Sequence, residues 1–346
     1  MAHSTCRLNF SVKADIVRTS LSAVRHIGPY LWLGCDETAT LERLTLNGDQ
    51  AENHCHFEVA DFLKLPKSSD EEIDVEGIAY ADYYLWFVGS HSLKRKTVKS
   101  EKTGEDNVKR LRKIEREENR YTLGRIPLVD GQLFATCPHP EKPDVTLTAA
   151  QLQRKKKGNE LTNRLEDDPH LGSFLKAEIP GKDNGFDVEG LAVLGDRLLL
   201  GLRGPVLRGW AVLIEVQLEE DDPGSLRLKK IGDDKERYHK HFLDLGGLGI
   251  RDLCLWHDTL LILAGPTMAL DGSVRVFSLP LAELKAGKAI LHPSVLLEVP
   301  HGKGSDRAEG ITLLRPDQTE LLIVYDAPAS ERLQGDGTVV ADRIFL

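Results

Sequence analysis

The sequence predicts an all-β fold, a five-bladed β-propeller. Three observations predict it: a short motif that recurs along the 346 residues, a near-constant interval from that motif to a second apolar run, and an unused strand before the first copy. Self-similarity at a regular period is the signature of a fold built from repeated supersecondary units. The motif reads DVEGIA at 74–79, DVEGLA at 187–192 and RAEGIT at 307–312. Each copy leads through a turn into a second apolar run, LWFVGSHS at 85–92, LLLGLRGP at 198–205 and LLIVYDAP at 321–328. Two further copies keep the turn and the second run but lack the glutamate-glycine: 22–27 followed by LWLGCDE at 31–37, and 251–256 followed by LLILAGPT at 260–267.

A third strand follows each pair, at 41–46, 121–128, 211–218, 274–281 and 339–346, with the apolar–polar alternation of strands nearer solvent. Fourth strands are predicted at 57–65, 174–179, 241–245 and 295–299. The last repeat runs out after its third strand, and the N-terminal 6–12 supplies the missing one, closing the ring and removing an exposed edge. The whole chain, 1–346, is read as one domain with two insertions in the second blade, 94–120 and 130–172. The first carries eleven basic and six acidic residues, and 107–120 reads as a helix with Val108, Leu111 and Ile114 on one side. The second reads as a proline-rich loop and a helix at 146–157; the alternative is six blades, with the extra one hidden there. Such segments are solvated flaps, a lid over a pocket, or a basic partner-binding patch.

Hydrophobic residues at 41% and charged residues at 29% are those of a chain that folds around a core. A net charge of −9 argues against binding nucleic acid over a broad surface. No apolar run reaches the length of a membrane span, the N-terminus lacks a signal-peptide core, and the chain is read as cytoplasmic. The five cysteines are scattered without a Cys-x-x-Cys pair and are expected to be reduced.

The strings EIDVEGIA, GSHSLKRK, RYTLGRIPL, GFDVEGLA, GIRDL and AEGIT together resemble a mainly bacterial family catalogued as a domain of unknown function. That resemblance implies the propeller fold. More distantly the chain is similar to esterase-like phytase propellers, which implies a metal-assisted phosphoesterase site.

In an antiparallel hairpin the start of one strand lies beside the end of the next. Glu76 is therefore expected near Ser90 and His91, Glu189 near Arg203, Arg251 and Asp252 near Pro266 and Thr267, and Glu309 near Asp326, with Asp36 and Glu37 ending the corresponding run of the first blade. Ring closure points these sets at one axial pocket. Asp-x-Glu-Gly also has a purely structural reading as turn chemistry, in which glycine supplies an unusual backbone conformation. If the glutamates do converge, something must neutralise them: Arg203 and Arg251, or a calcium or magnesium ion held by Glu76, Glu189 and Glu309. Ser90, His91 and Ser92 beside Lys94 and Arg95 suit a phosphate or carboxylate, with His91 and Glu76 as acid–base catalysts and Arg203, Arg251 and Asp326 completing the ligand contacts. Two functions are expected: a hydrolase acting on an anionic or phosphorylated small molecule, or a propeller that binds a ligand or a protein without chemistry.

Overall fold

The computed structural model describes residues 3–68, 70–231, 236–301, 306–315, 320–335 and 337–346. The fold is all-β, laid down as consecutive antiparallel meanders. β1 (His3–Asn9) stands apart from the first of them, β2 (Leu21–Ile27), β3 (Tyr30–Cys35), β4 (Thr40–Asn47) and β5 (Gln50–Glu58). Next come β6 (Val75–Ala81), β7 (Tyr84–Gly89), β8 (Leu123–Val129) and the short β9 (Ala150–Leu152). A third run holds β10 (Asp187–Leu194), β11 (Arg197–Gly204) and the long β12 (Trp210–Asp222), which pairs at its two ends with β13 (Ser225–Leu228) and β14 (His239–Asp244). β15 (Gly249–Trp256), β16 (Thr259–Gly265), β17 (Val274–Pro280) and β18 (Ser294–Val299) form a four-stranded sheet by themselves. β19 (Arg307–Arg315), β20 (Glu320–Asp326) and β21 (Thr338–Phe345) follow.

β1 pairs antiparallel with β21 from His3 opposite Ile344 to Asn9 opposite Thr338, so the two ends of the described chain share one sheet. Short parallel contacts join the outer strands of neighbouring meanders, Arg7 opposite Gln50 and Gln151 opposite Ser225, and merge them into a nine-stranded and an eleven-stranded sheet. The first strands of the meanders lie side by side: β2 against β6 and β19, β10 against β6 and β15, and β15 against β19. The apolar core is divided accordingly. Trp32, Leu41, Ile78 and Phe87 pack between the first two meanders, Val88, Leu191, Leu200 and Ile214 between the next pair, and Leu199, Leu213, Leu253 and Ile262 beyond them. Leu261, Val276, Ile311 and Ile323, then Leu8, Val24, Leu33 and Val324, fill the remaining gaps.

Several predicted elements differ from the observed ones. The fourth strand of the first meander is Gln50–Glu58 and not 57–65, because Asn47 faces Gln50 across a two-residue turn with Gly48 at φ +63°, so the strand starts seven residues earlier. The predicted strand 174–179 is helical at Gly172–Lys176, led in by Asp168, whose Oδ1 accepts from the backbone N–H groups of His170 and Leu171. Its place in the sheet is taken by β9. The predicted helix 146–157 is extended instead, in strands Lys142–Thr148, β9 and Arg154–Lys155. Here the β-branched Val145, Thr146 and Thr148 and the buried Leu147 and Leu152 favour a half-buried sheet surface. The predicted helix 107–120 spans Gly104–Leu111, capped by Thr103 accepting from the Asp106 N–H, and Ile114–Glu115 returns as a strand against Lys94–Arg95.

The glycine of each Glu-Gly pair is needed for close approach. None of Gly77, Gly190 and Gly310 has positive φ; a Cβ on Gly77 would lie 2.8 Å from Leu191 Cβ and 2.9 Å from its backbone nitrogen, and one on Gly310 would lie 2.7 Å from Val324 Cγ2. At Gly77 the neighbouring first strand, and at Gly310 the hairpin partner β20, passes too near for any side chain. Gly77→Ala is therefore expected to destabilise the protein by about 1–3 kcal/mol through overpacking, measured by urea unfolding. A change within about 0.3 kcal/mol would show that the strands move apart freely.

Candidate functional site

Every first strand carries a β-bulge at the same place in the repeat. The register slips between Leu21 and Ala23, Val75 and Gly77, Val188 and Gly190, Ile250 and Asp252, and Ala308 and Gly310. The extra residues are Ser22, Glu76, Glu189, Arg251 and Glu309, all buried. A bulge leaves one residue unpaired and re-aims its side chain. Repeated around strands that touch one another, it sends these side chains into one cluster.

Within that cluster Arg203 donates from Nη1 to Glu189 Oε1 at 2.6 Å, and Arg251 Nη1 lies 3.3 Å from Glu189 Oε2 and also donates to Glu309 Oε1. Arg203 Nε donates to the Thr267 carbonyl at 2.9 Å and Arg251 Nη2 to the Pro266 carbonyl at 2.8 Å. Both guanidiniums expected to face a ligand are thus engaged by the protein. Burial acts to raise the Glu309 carboxyl, but Arg251, Arg203 and Lys182 outweigh it and hold it below the usual range. A second pairing sits beside the first. Arg120 Nη1 lies 2.9 Å from Asp74 Oδ2, Arg120 Nη2 contacts Glu72, and Lys94 Nζ reaches Glu72 Oε1 at 2.8 Å.

Three carboxyls are left over. Oδ1 of Asp36 and Oδ1 of Asp187 are buried without a hydrogen-bond partner among the described residues. The Glu76 carboxyl makes no hydrogen bond or ion pair with a described residue. Burial, then the charges of Asp326, Asp74 and Glu309, push Asp36 up to about 9. Burial and Glu189 push Asp187 up to about 8. Burial, Asp74, Glu189 and Glu309 push Glu76 well above the carboxylate range, and burial and Glu309 push Asp326 up to about 6. The Lys182 ammonium shifts upward, since Glu309, Asp326 and Asp36 outweigh the opposing effects of burial and Arg203.

Asp36, Asp74, Glu76 and Asp187 line a cavity of about 440 Å³. Its rim comes from Lys182 and from the segment after β7, where Lys94, Arg95, Lys96, Thr97 and Val98 face it together with Leu111. Arg95 Nε anchors that segment to Asp183 Oδ2 at 2.7 Å and Lys96 Nζ pairs with Glu115 at 2.6 Å. Among the described residues no group of three or more His, Cys, Asp or Glu side chains is arranged to hold a metal ion.

Of the residues singled out from the sequence, Glu189, Arg203, Arg251 and Glu309 meet in one network, and Asp326 reaches it electrostatically. Ser90 and Ser92 are joined hydroxyl to hydroxyl at 3.0 Å, and Ser92 accepts from Arg120 at 3.1 Å. His91 lies elsewhere. Its Nδ1 bonds the Gly89 carbonyl at 2.7 Å, its Nε2 meets Asn159 Nδ2 at 2.6 Å, and its ring packs edge-on against Tyr121. Burial pushes the imidazole down to about 4, so it stays neutral and fixes the 158–159 segment. Arg120 and Lys182 were not singled out. Arg120 opens the string RYTLGRIPL but belongs to no repeat position, and Lys182 precedes its motif in a loop that carries no signal. At the other end of the first strands Arg25 donates to the Ile78 and Leu253 carbonyls at 2.8 Å and lies 3.5 Å from the fully buried Asp252.

The fold and site together define an all-β, propeller-like protein with an ion-paired cluster and a polar cavity at the convergence of its first strands. The chain belongs to the family described as Protein of unknown function (DUF3616), whose model matches residues 20–342. No curated protein matches the sequence. Among solved structures it is similar to Myxococcus xanthus glutaminyl cyclase, at 8% identity and a TM-score of 0.43, covering 99% of this chain and 97% of that one. It is also similar to the PQQ-bound aldose sugar dehydrogenase of Streptomyces coelicolor, at 11% identity and a TM-score of 0.39 over 99% and 98% of the two chains. The beta-propeller domain of Myceliophteria thermophila Cps50 is similar at 12% identity and a TM-score of 0.31 over 99% and 97%. Among the described residues no helix is long and apolar enough to cross a membrane.

Arg251→Met should cost about 3–5 kcal/mol in urea unfolding at pH 7, since it strands the buried Glu189 and Glu309 carboxylates; a loss under about 1 kcal/mol would show that these charges are already solvated. The leftover carboxyls give a signed pH dependence. Their folded pKa values lie above the unfolded ones, so they favour the fold fully below about pH 4 and lose that contribution as pH rises through about 8–9. The melting temperature of Asp36→Asn and Asp187→Asn variants is expected to fall less than that of the parent between pH 6 and 9. Parallel curves for parent and variants would remove these groups from the account.

Proposed function

We propose that this chain is a five-bladed propeller whose axial pocket binds a small molecule bearing positive charge or several hydrogen-bond donors. The ring reading is supported by the cycle of contacts among first strands, by the division of the core into gaps between successive meanders, and by the β1–β21 pairing. All strands then belong to one domain, and 94–120 forms a flap at the mouth of its pocket.

One observation carries the ligand reading: Asp36, Glu76 and Asp187 remain after Glu189, Glu309 and Asp74 have taken their arginines, and all three face the same cavity. Buried acceptors without partners favour a ligand that supplies donors. An anionic ligand is less well served, because Arg203 and Arg251 are already committed and Glu189 and Glu309 would have to be released first. For the same reason a metal ion on Glu76, Glu189 and Glu309 is no part of this reading.

Catalysis is a second reading, favoured by carboxyls whose protonation is split around neutral pH within one cluster, Asp36 near 9 and Asp326 near 6. Such pairs serve as acid and base in hydrolysis.

The binding reading is tested by calorimetry with ethylguanidinium and with inorganic phosphate. Ethylguanidinium is expected to bind with release of protons near pH 7, because the cation draws down the raised carboxyls, and Asp187→Asn should weaken it at least tenfold. Binding of phosphate with no response to ethylguanidinium would overturn the reading.

A further inference from the structure

The cavity has a second kind of wall. Besides the carboxyls it is lined by Leu93, Val98, Leu111 and Ala269. Val98 and Leu111 belong to the flap and are 56% and 43% exposed, although both are large and apolar. Ala269 sits between Met268 and Leu270 in the loop after β16, and these are 43% and 64% exposed. The lining therefore combines buried carboxyls and the cations Lys94, Arg95, Lys96, Arg120 and Lys182 with apolar side chains, of which Val98 and Leu111 are uncovered. Contiguous apolar surface beside a polar pocket is a property of ligand sites more than of solvated loops.

From this we infer that the ligand is an amphiphilic cation: an ammonium or guanidinium head on the Asp36, Glu76 and Asp187 carboxyls, and an aliphatic or aromatic portion lying across Val98 and Leu111 toward Ala269. The inference rests on the proposed cation-binding pocket and adds the chemistry of the rest of the molecule. Two observations meet in it. The floor offers buried carboxyls without partners, at 3% exposure for Asp187 and 6% for Glu76. The rim offers apolar surface within the same 440 Å³ space, which is more than an ammonium group alone occupies. The flap's anchors also fit this role. Arg95–Asp183 and Lys94–Glu72 tie its base down, so that Val98 and Leu111 are held over the cavity.

The test is a chain-length series, ethyl-, butyl- and hexylammonium, titrated at pH 7.5 into the parent and into a Val98→Ser, Leu111→Ser double variant, which removes apolar surface without adding charge. Both substituted positions are exposed, so the variant is expected to fold as the parent does, checked by its melting temperature. In the parent, affinity should rise by up to about fourfold for each added methylene that is buried. In the double variant the gain with chain length should be lost, hexyl and ethyl binding within about threefold of each other. Equal affinities across the series in the parent would overturn the amphiphile and leave the cation pocket standing. Failure of every ammonium probe to bind would overturn the cation pocket itself, and the inference with it.

Discussion

The structure is governed by one electrostatic constraint: first strands packed side by side, each bulged at the same position, drive carboxyl groups into a shared buried volume. Like charges at such a distance cannot all ionise unless cations are brought to them. The chain supplies Arg203 and Arg251 from strands inside the repeat, and Arg120, Lys94 and Lys182 from segments outside it. Burial, and then the carboxylates those cations leave uncompensated, raise Asp36 and Asp187. The segment after β7 is fastened by the same class of contact, Lys94 to Glu72 and Arg95 to Asp183.

The two tiers of the cluster differ in what they do. Glu189, Glu309, Arg203 and Arg251 close on one another and on the Pro266 and Thr267 carbonyls, which makes them a fastening between neighbouring meanders. Removing one member leaves a charge with nowhere to go, while the intact set has little left to offer a ligand. Asp36, Glu76 and Asp187 make the opposite trade. Their raised pKa values weaken the fold at neutral and higher pH, and Oδ1 of Asp36 and of Asp187 is buried without a partner among the described residues.

Much of the fold was legible because the repeat is written in residue types that the geometry demands. The glutamate marks the bulge, and the glycine after it marks the close pass of the next strand, as the contact of Gly77 with Leu191 shows. The arginine partners were legible too, since Arg203 ends the strand beside Glu189 and Arg251 occupies the bulge position of its own repeat. What failed were elements outside the repeat. A stretch of alanine, glutamine and lysine at 149–157 has helical composition, yet strand pairing with β8 and β13 decides its form. His91 was read as a site residue from its neighbours in sequence, but its positive φ of 56° turns it away from Ser90 and Ser92 into the contact with Asn159. No residue pattern announced that turn.

The pairing of β1 with β21 sets an order of events in the living cell. The strand containing Cys6 and Leu8 leaves the ribosome early, and its partner around Val339 and Ala341 only after all the intervening strands have been made. Until then Leu8 and Cys6, fully buried in the finished protein, have only the short parallel contact with β5 on one side of their strand. The nascent chain must therefore carry an open, apolar edge through most of its synthesis. Such edges recruit other chains or chaperones. The edge of β21 is thus covered by a contact that spans nearly the whole sequence, from His3 opposite Ile344 to Asn9 opposite Thr338.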